Sequence, residues 1–410
     1  MELFWQAVVW LCIGTLVYTY VGYPLLMFAI AKARSVRLLG RNLRSHGESP
    51  WPYGPKGGPG PETSGPKGRP EAFEWPIVSF LIPAFNEQQV IRQKVENTLD
   101  LDYPSDRFRI IVVSDGSTDK TNEMLACYGD QEIEFISMPR RQGKTTVLNQ
   151  VIPQLTGDIV VLSDASGLLR RDALKKIVAH FRDPEVGCVS GVYMFETDDE
   201  SLRSTTEEIY WRYETFLKKY ESQVHSTIGA HGALYGFRRK LFRPFYERAI
   251  NDDFILPMQI LQQGFRVLYE PDAIVIEHES TNLNGEFNRR IRINVGNFQQ
   301  IDLLRSLLHP KRGLVALEFF SHKLLRAVNP AFILLLPISC FLAKAPLYSF
   351  MLELQFVFYL IGLFGYFQEF LGFRIRYLYL PFYFLMGNVA AVFGFVRFLL
   401  RKQSILWKRV

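Results

Sequence analysis

The chain has 410 residues, four cysteines and a formal net charge of +6. That length allows one large domain with extra elements, or two domains, and Cys12, Cys127, Cys188 and Cys340 share no CxxC spacing, so neither a disulfide framework nor a zinc site is implied. The basic residues crowd beside apolar segments and no aromatic-basic RNA module is present, which excludes nucleic acid as a partner and favours anionic lipid.

No charge interrupts the sequence between Glu2 and Lys32, enough for a spanning helix, which needs ~20 apolar residues. A cleaved signal peptide does not fit: the run is too long, Glu2 stands where a basic cluster belongs, and no small-x-small site precedes Lys32. Lys32, Arg34, Arg37, Arg41 and Arg44 follow, which predicts a transmembrane helix over 1–40 with a cytoplasmic domain after it. Residues 41–75 read as a Gly/Pro-rich linker, with Pro-Lys-Gly at Pro55 and Pro66 but no collagen period. Such a stretch has too little apolar surface to order itself; as a coil it spans about 30 Å r.m.s..

From Pro76 strands and helices alternate, the pattern of an α/β domain with a mostly parallel sheet and helices on both faces. Ile77–Ile82, Ile110–Val113 and Asp158–Leu162 are short apolar runs of the kind buried on both sides of such a sheet. Each ends in a polar cluster: Pro83-Ala84-Phe85-Asn86-Glu87, Ser114-Asp115-Gly116-Ser117-Thr118-Asp119 and Ser163-Asp164-Ala165-Ser166. Ligands lie outside the carboxyl ends of strands in open α/β sheets, so Glu87, Asp115 and Asp164 are expected at one edge. Gly116 can supply a positive φ there; the plainer alternative for each aspartate is a helix cap. Glu132–Met138 and Val186–Val192 read as further strands, and 201–223 as a longer helix with Ile209, Tyr213, Phe216 and Leu217 on one side.

Gly143-Lys144-Thr145-Thr146 imitates the end of a P-loop, but Met138 stands where that motif needs its first glycine. Asn251-Asp252-Asp253-Phe254 opens a helical pattern, with Asn251 as the expected cap. The ordered set PAFNE, VSDGSTD, GKTTVLN, SDAS and NDDF resembles the family-2 glycosyltransferases of GT-A fold. The resemblance is to the membrane-embedded branch that includes cellulose, hyaluronan and poly-N-acetylglucosamine synthases, and covers roughly Pro76 to Arg326.

The resemblance implies a GT-A domain over 76–305 and a role for each motif. Pro83, Ala84, Asn86, Glu87, Asp115, Lys144, Asp164, Arg289 and Arg292 would face the nucleotide sugar, with Asp115 at the base and Asp164 at the diphosphate and its metal. Asp164-Ala165-Ser166 lacks the third-position carboxylate of a DxD motif; one hard oxygen with phosphate oxygens and water still suits Mg²⁺ or Mn²⁺. Asp253 would be the general base. His231, Gly232, Asp252 and Ile293 would lie on the acceptor side, as would Phe237-Arg238-Arg239. The stretch at 289–293 matches QxxRW only as RxxRI: Arg292 keeps the arginine, and Ile293 replaces the tryptophan that would stack on a growing chain.

The last third turns apolar. An interfacial helix is expected over 306–326, mixing apolar and basic residues. Ala327–Ala343, Phe350–Phe373 and Tyr377–Val396 are candidate spans within a membrane region over 327–410. Together these features predict an inverting transferase of the cell membrane, with its catalytic domain in the cytoplasm. It would pass a sugar from a nucleotide sugar, expected to be UDP-linked, to a cell-surface polysaccharide or glycolipid, with polysaccharide export partners possible. Two alternatives remain: single-sugar transfer to a polyprenyl-phosphate-linked carrier, and an inactive scaffold or channel subunit. Intact Asp115, Asp164 and Asp253 argue against the second, and the spans lack the central ionisable residues of an ion transporter.

Overall fold

The computed structural model describes residues 1–42, 74–129, 132–195, 202–246, 248–277, 283–371, 375–404 and 406; the Gly/Pro-rich segment at 43–73 lies outside them. Among the described residues eight strands form one sheet: β1 (Val78–Ala84), β2 (Phe108–Ser114), β3 (Glu134–Ser137), β4 (Ile159–Leu162), β5 (Gly167–Leu169), β6 (Val186–Phe195), β7 (Tyr235–Arg238) and β8 (Arg266–Glu277). Their order is β3-β2-β1-β4-β7-β6-β8-β5. The half from β3 to β4 is wholly parallel. Beyond it β7 runs antiparallel to both β4 and β6, β8 is parallel to β6, and β5 is antiparallel to β8.

The alternation of strand side chains explains the layers. Leu81, Ile111, Val113, Val160 and Leu162 point to one face and join a core with Leu148, Val151, Phe254 and Met258. Phe80, Ile82, Ile110, Val112 and Val161 point to the other and meet Ile91, Val95, Leu174 and Ile177. Every residue of β1 and β4 is buried, as a strand covered on both faces requires. Three strands carried weak sequence signals. β5 has three residues, β7 is YGFR, and β8 is interrupted by Glu270-Pro271-Asp272, opposite a register shift between Ser190 and Val192.

Register sets which loops meet. Ala84 pairs with Ser114 and Leu81 with Leu162, so β1, β2 and β4 end at the same edge. In the antiparallel neighbour, Tyr235 pairs with Leu162 and Arg238 with Ile159. The loop before β7 therefore stands beside Asp164, while Arg238 and Arg239 are at the far edge. There they donate to the carbonyls of Phe181, Asp183, Val186 and Gly157. This corrects the acceptor-side expectation for Phe237-Arg238-Arg239, because a strand antiparallel to β4 carries its end away from the site.

Among the described residues four helices are long and apolar enough to cross a membrane: Glu2–Ser35, Leu314–Ala343, Pro346–Gln368 and Leu378–Leu399. The first is interrupted by a π-turn at Tyr18–Gly22, and the second by one at Phe319–Leu324. Residues 305–312 form short 3₁₀ turns, and from Leu314 helical structure continues through the π-turn to Ala343. No boundary falls at 326–327, where an interfacial helix was expected to end, because His322 and Arg326 turn inward to acidic partners. Another helix, Leu283–Leu303, packs on the last span, with Gly394 tight against Asn294 and Ile291.

Candidate active site

The three strand ends are fastened to one another before any side chain faces a ligand. Asn86 adopts φ 56°, a conformation few non-glycine residues take. Its amide oxygen accepts the Thr118 N–H at 2.8 Å, and its own N–H donates to Ser117 Oγ at 3.1 Å. Asp119, not Asp115, lies just before the helix Thr121–Leu125, accepting from the Thr121 N–H and hydroxyl. Gly116 has φ 66°, and a Cβ there would lie 2.5 Å from the backbone at Arg140 and Arg141, so only glycine fits.

Asp115 is buried and accepts the N–H groups of Gln142 and Gly143, each at 2.7 Å. Burial raises its pKa, opposed by those two bonds and by the nearby Arg141. The Arg141 guanidinium lies 3.7 Å over the Phe85 ring, with Nε and Nη2 buried and without a hydrogen-bond partner among the described residues. Pro83, Ala84 and Glu87 are buried at the end of β1, where the Ala84 carbonyl accepts the Asp115 N–H.

Lys144 opens the next helix, Lys144–Val151. Its ammonium donates to Asp164 Oδ1 at 2.8 Å and lies 3.2 Å from Asp252 Oδ2. Burial works against that charge, but Asp164 and Asp252 outweigh it and hold the ammonium above its ordinary pKa. Asp252 is buried and also accepts the Tyr235 hydroxyl at 3.0 Å. Asp164 begins no helix; the chain passes from it into β5, which removes the cap alternative. Asn251 precedes the helix Asp252–Gln262 without a side-chain cap bond, and its amide nitrogen lies 3.4 Å from the Ile293 carbonyl instead.

Asp253 faces Asp164 across Gly232. The Oδ2 atoms of both aspartates lie 3.3 Å from where a Cβ on Gly232 would stand, so they are at most twice that distance apart. Burial, with Asp252 and Asp164 close by, raises the Asp253 pKa to about 6 against the pull of Lys144. Among the described residues no group of three or more His, Cys, Asp or Glu gathers to hold a metal. Asp164 nevertheless offers a hard oxygen facing the gap over Gly232, a donor set that fits Mg²⁺ or Mn²⁺ when phosphate oxygens complete the shell.

Residues 79–245 match the profile of Glycosyl transferase family 2. That stretch of the chain is similar to the family 2 glycosyltransferases. The chain is 27% identical over 269 residues to the probable glycosyltransferase YdaM of Bacillus subtilis (strain 168), covering 62% of this chain and 63% of that one. To the poly-beta-1,6-N-acetyl-D-glucosamine synthase of Staphylococcus aureus (strain COL) it is 24% identical over 220 residues, covering 52% and 53%. The matched regions thus span less than two thirds of these curated relatives. Among solved structures, the mannosyltransferase PcManGT from Pyrobaculum calidifontis, in complex with GDP-Man and Mn²⁺, superposes with a TM-score of 0.67. That likeness covers 97% of this chain and all of the other at 22% identity, and establishes the GT-A fold.

The remaining predicted residues divide. On the helix Leu283–Leu303, Arg292 is mostly buried with Nε unpartnered among the described residues. Burial lowers its pKa while Asp252, Asp253 and Asp164 pull the other way, so it belongs to the cluster. Arg289 and Arg290 instead bond the same carboxylate, Glu286, at 2.7 and 2.6 Å. Ile293 is 38% exposed and contributes its carbonyl. His231 is buried beside Tyr193, Trp211 and Tyr269. Burial drives its pKa down to about 3, so it stays neutral.

Two buried lysines of this domain went unnoticed in the sequence. Lys94 donates to Ser163 Oγ at 2.6 Å and the Gly167 carbonyl at 2.5 Å, bracketing Asp164, and Ser163 in turn donates to the Ala233 carbonyl. Lys218 donates to the carbonyls of Ile228 and Gly229, each at 2.9 Å, and so supports the loop that ends in Gly232. Their charge hides both, since lysine in a helix ordinarily reads as surface.

Proposed function

We propose that the chain transfers a sugar, with inversion, from a nucleotide sugar to a membrane-held carbohydrate acceptor. The observation that carries this reading is the pair Asp164 and Asp253 facing each other over Gly232, one beside Lys144 and the other with its pKa near 6. Asp115 and the Arg141–Phe85 stack would bound the nucleobase slot. Pro83, Ala84, Asn86 and Glu87 would shape its floor, and Lys144 and Arg292 would face the diphosphate, with Arg289 behind them. A divalent ion held by Asp164 would withdraw charge from that diphosphate.

Asp253 then takes the proton of the acceptor hydroxyl as the hydroxyl oxygen bonds the anomeric carbon, the bond from that carbon to the diphosphate breaks, and nucleoside diphosphate leaves. A base titrating near 6 is ionised at neutral pH yet remains basic enough to accept that proton. Asp252 orients Lys144 and Tyr235, while His231 and Gly232 keep the acceptor side narrow and uncharged. The four long apolar helices support membrane attachment, and Lys32 and Arg34 after the first favour a cytoplasmic catalytic domain.

The similar proteins are named for both N-acetylglucosamine and mannose, so the donor is tested by a panel. Membranes holding the chain are incubated with radiolabelled UDP- and GDP-sugars, with and without chelator. One nucleotide sugar should label lipid or polymer, chelator should abolish labelling, and Mg²⁺ or Mn²⁺ should restore it. Absence of transfer from every donor would refute the reading; full transfer in chelator would remove the metal from it.

A further inference from the structure

Three of the four apolar helices meet at their ends away from the domain that carries the site. Val9 of the first, Cys340 and Ala343 of the second and Tyr348 of the third pack together there. The third, Pro346–Leu371, then runs back toward the domain, and the fourth, Arg376–Leu399, starts beside its end. The Ile375 N–H donates to Gln368 at 2.9 Å, and Leu378 packs against Gly365. The fourth helix does not return to the far end. The Arg290 guanidinium lies 4.0 Å over its Tyr383 ring, and a Cβ on Gly394 would stand 2.6 Å from that of Asn294. Nearer its end, Phe395 and Phe398 lie 5.0 and 6.1 Å from the Phe298 ring.

These partners belong to the helix Leu283–Leu303, which is seated on the domain. Its Gln299 accepts the Ile250 N–H at 3.1 Å and donates to the Arg248 carbonyl at 2.9 Å, and its Arg292 joins the aspartate cluster. Both ends of the fourth helix are therefore on the domain side; a crossing would have carried Phe398 away by about 30 Å, the thickness of the hydrocarbon layer. Val389, Val392, Val396 and Leu399 nonetheless form an outward stripe, each 36–61% exposed. Arg397 stands in the last turn, and Arg401 and Lys402 follow it, exposed. An apolar stripe ending in bases suits a helix lying in the plane of an anionic bilayer surface. We propose that Leu378–Leu399 lies along the bilayer surface on the domain side instead of crossing, its stripe against acyl chains and Arg397, Arg401 and Lys402 on anionic headgroups. Lys32 and Arg34, after the first span, then share a side with this basic end, in keeping with the bias of Lys and Arg to one side of a membrane. The same arrangement lays the membrane surface along the helix that brings Arg292 to the site.

The test places single cysteines in the full chain and labels sealed membrane vesicles with an impermeant maleimide. Exposed Cys127 marks the domain side; Ser404→Cys and Lys344→Cys are each made in a Cys127→Ser background. Ser404→Cys should label from the side that labels Cys127, and Lys344→Cys, between the second and third spans, from the opposite side. Labelling of Ser404→Cys together with Lys344→Cys, opposite Cys127, would overturn the proposal. All three on one side would overturn it as well, since no helix after the domain would then cross. The headgroup contact is read in nanodiscs. The melting temperature should be higher by roughly 2–4 °C in discs containing phosphatidylserine than in discs of phosphatidylcholine alone, and Arg401→Gln with Lys402→Gln should narrow that difference. An equal melting temperature in both discs, or a difference that the double variant leaves intact, would show that these bases do not rest on anionic lipid.

Discussion

The two sides of the site are fastened by different means. On the nucleotide side, the turns at Asn86, Asp115 and Asp119 bond one another's backbone groups across about thirty positions, as in Asn86 to Ser117 (31 apart) and Asp115 to Gln142 (27 apart). On the acceptor side, side chains reach far along the chain. Tyr23 of the first helix donates to Glu221 at a separation of 198 residues, and His322 joins Glu221 and Glu214 at 101 and 108. Glu221 and Lys218 then hold the loop before Gly232. The side proposed for the nucleotide is therefore held by turns close in sequence, while the side proposed for the acceptor is tied to two of the candidate spans. Changes on one side should leave the other side's kinetic constant alone.

The largest effect is expected at Asp253. Asp253→Asn should lower kcat by roughly 10²–10⁴-fold with nucleotide-sugar affinity nearly unchanged, since a base works only in the transition state. Wild-type turnover in that variant would remove the base assignment, and a matching loss of donor affinity would join the two sides into one. Gly232→Ala comes next. Its methyl would stand 3.3 Å from both Asp164 and Asp253, and a displacement of that kind can cost about 10²-fold. Turnover should fall while the melting temperature holds; a variant as active as the wild type would show that the gap is not where the sugars meet.

Legibility followed the same division. The strand ends at Ala84, Ser114 and Leu162, and the need for glycine at 116, could be read because apolar runs and turn residues act through their immediate neighbours. The family match likewise spans 79–245 and stops short of Asp252 and Asp253. Lys94, Lys218, Glu214 and Glu221 were not legible. A charged residue on a helix announces solvent, and only the fold shows that these four are buried against carbonyls, a histidine and an arginine. Asn251 misled for the opposite reason. Its position favours a cap, but Gly296 of a helix forty residues later leaves room for its side chain, which points toward Ile293.

Smaller effects sharpen the contrast. Lys94→Met would remove both bonds beneath Asp164 and should destabilise the domain by about 2–3 kcal/mol, since hydrogen bonds from a charged group contribute about 1.5–3 kcal/mol. Metal affinity, followed by Mn²⁺ spectroscopy, should weaken more than acceptor KM; the reverse would put Lys94 on the wrong side. Tyr23→Phe deletes one of the bonds at Glu221 and should cost about 1 kcal/mol, showing as a raised acceptor KM with donor KM unmoved. The mildest probe is pH. Because the folded-state pKa of Asp253 is raised to about 6, its active, ionised form is lost as pH falls through that value. The rate should drop tenfold per unit below it, while His231, held neutral down to about 3, adds no limb between pH 5 and 8. A profile flat to pH 5 would show that the Asp253 carboxylate is not the group being titrated.

The two π-turns touch: the Tyr18 hydroxyl lies 2.8 Å from Ser321 Oγ, one residue from each irregular turn. A wide turn takes in one residue more than a regular one, and each residue advances an α-helix by about 100°. Both helices therefore change angular phase at the same level. At and just below it they meet the helix Leu202–Val224 through His322 and Tyr23; above it they face each other through Val9, Cys340 and Ala343. Deleting one residue from either turn would rotate one half of that helix by about a quarter of a circle against its partner. A single deletion would therefore keep one set of contacts, to the helix Leu202–Val224 or between the two spans, and lose the other.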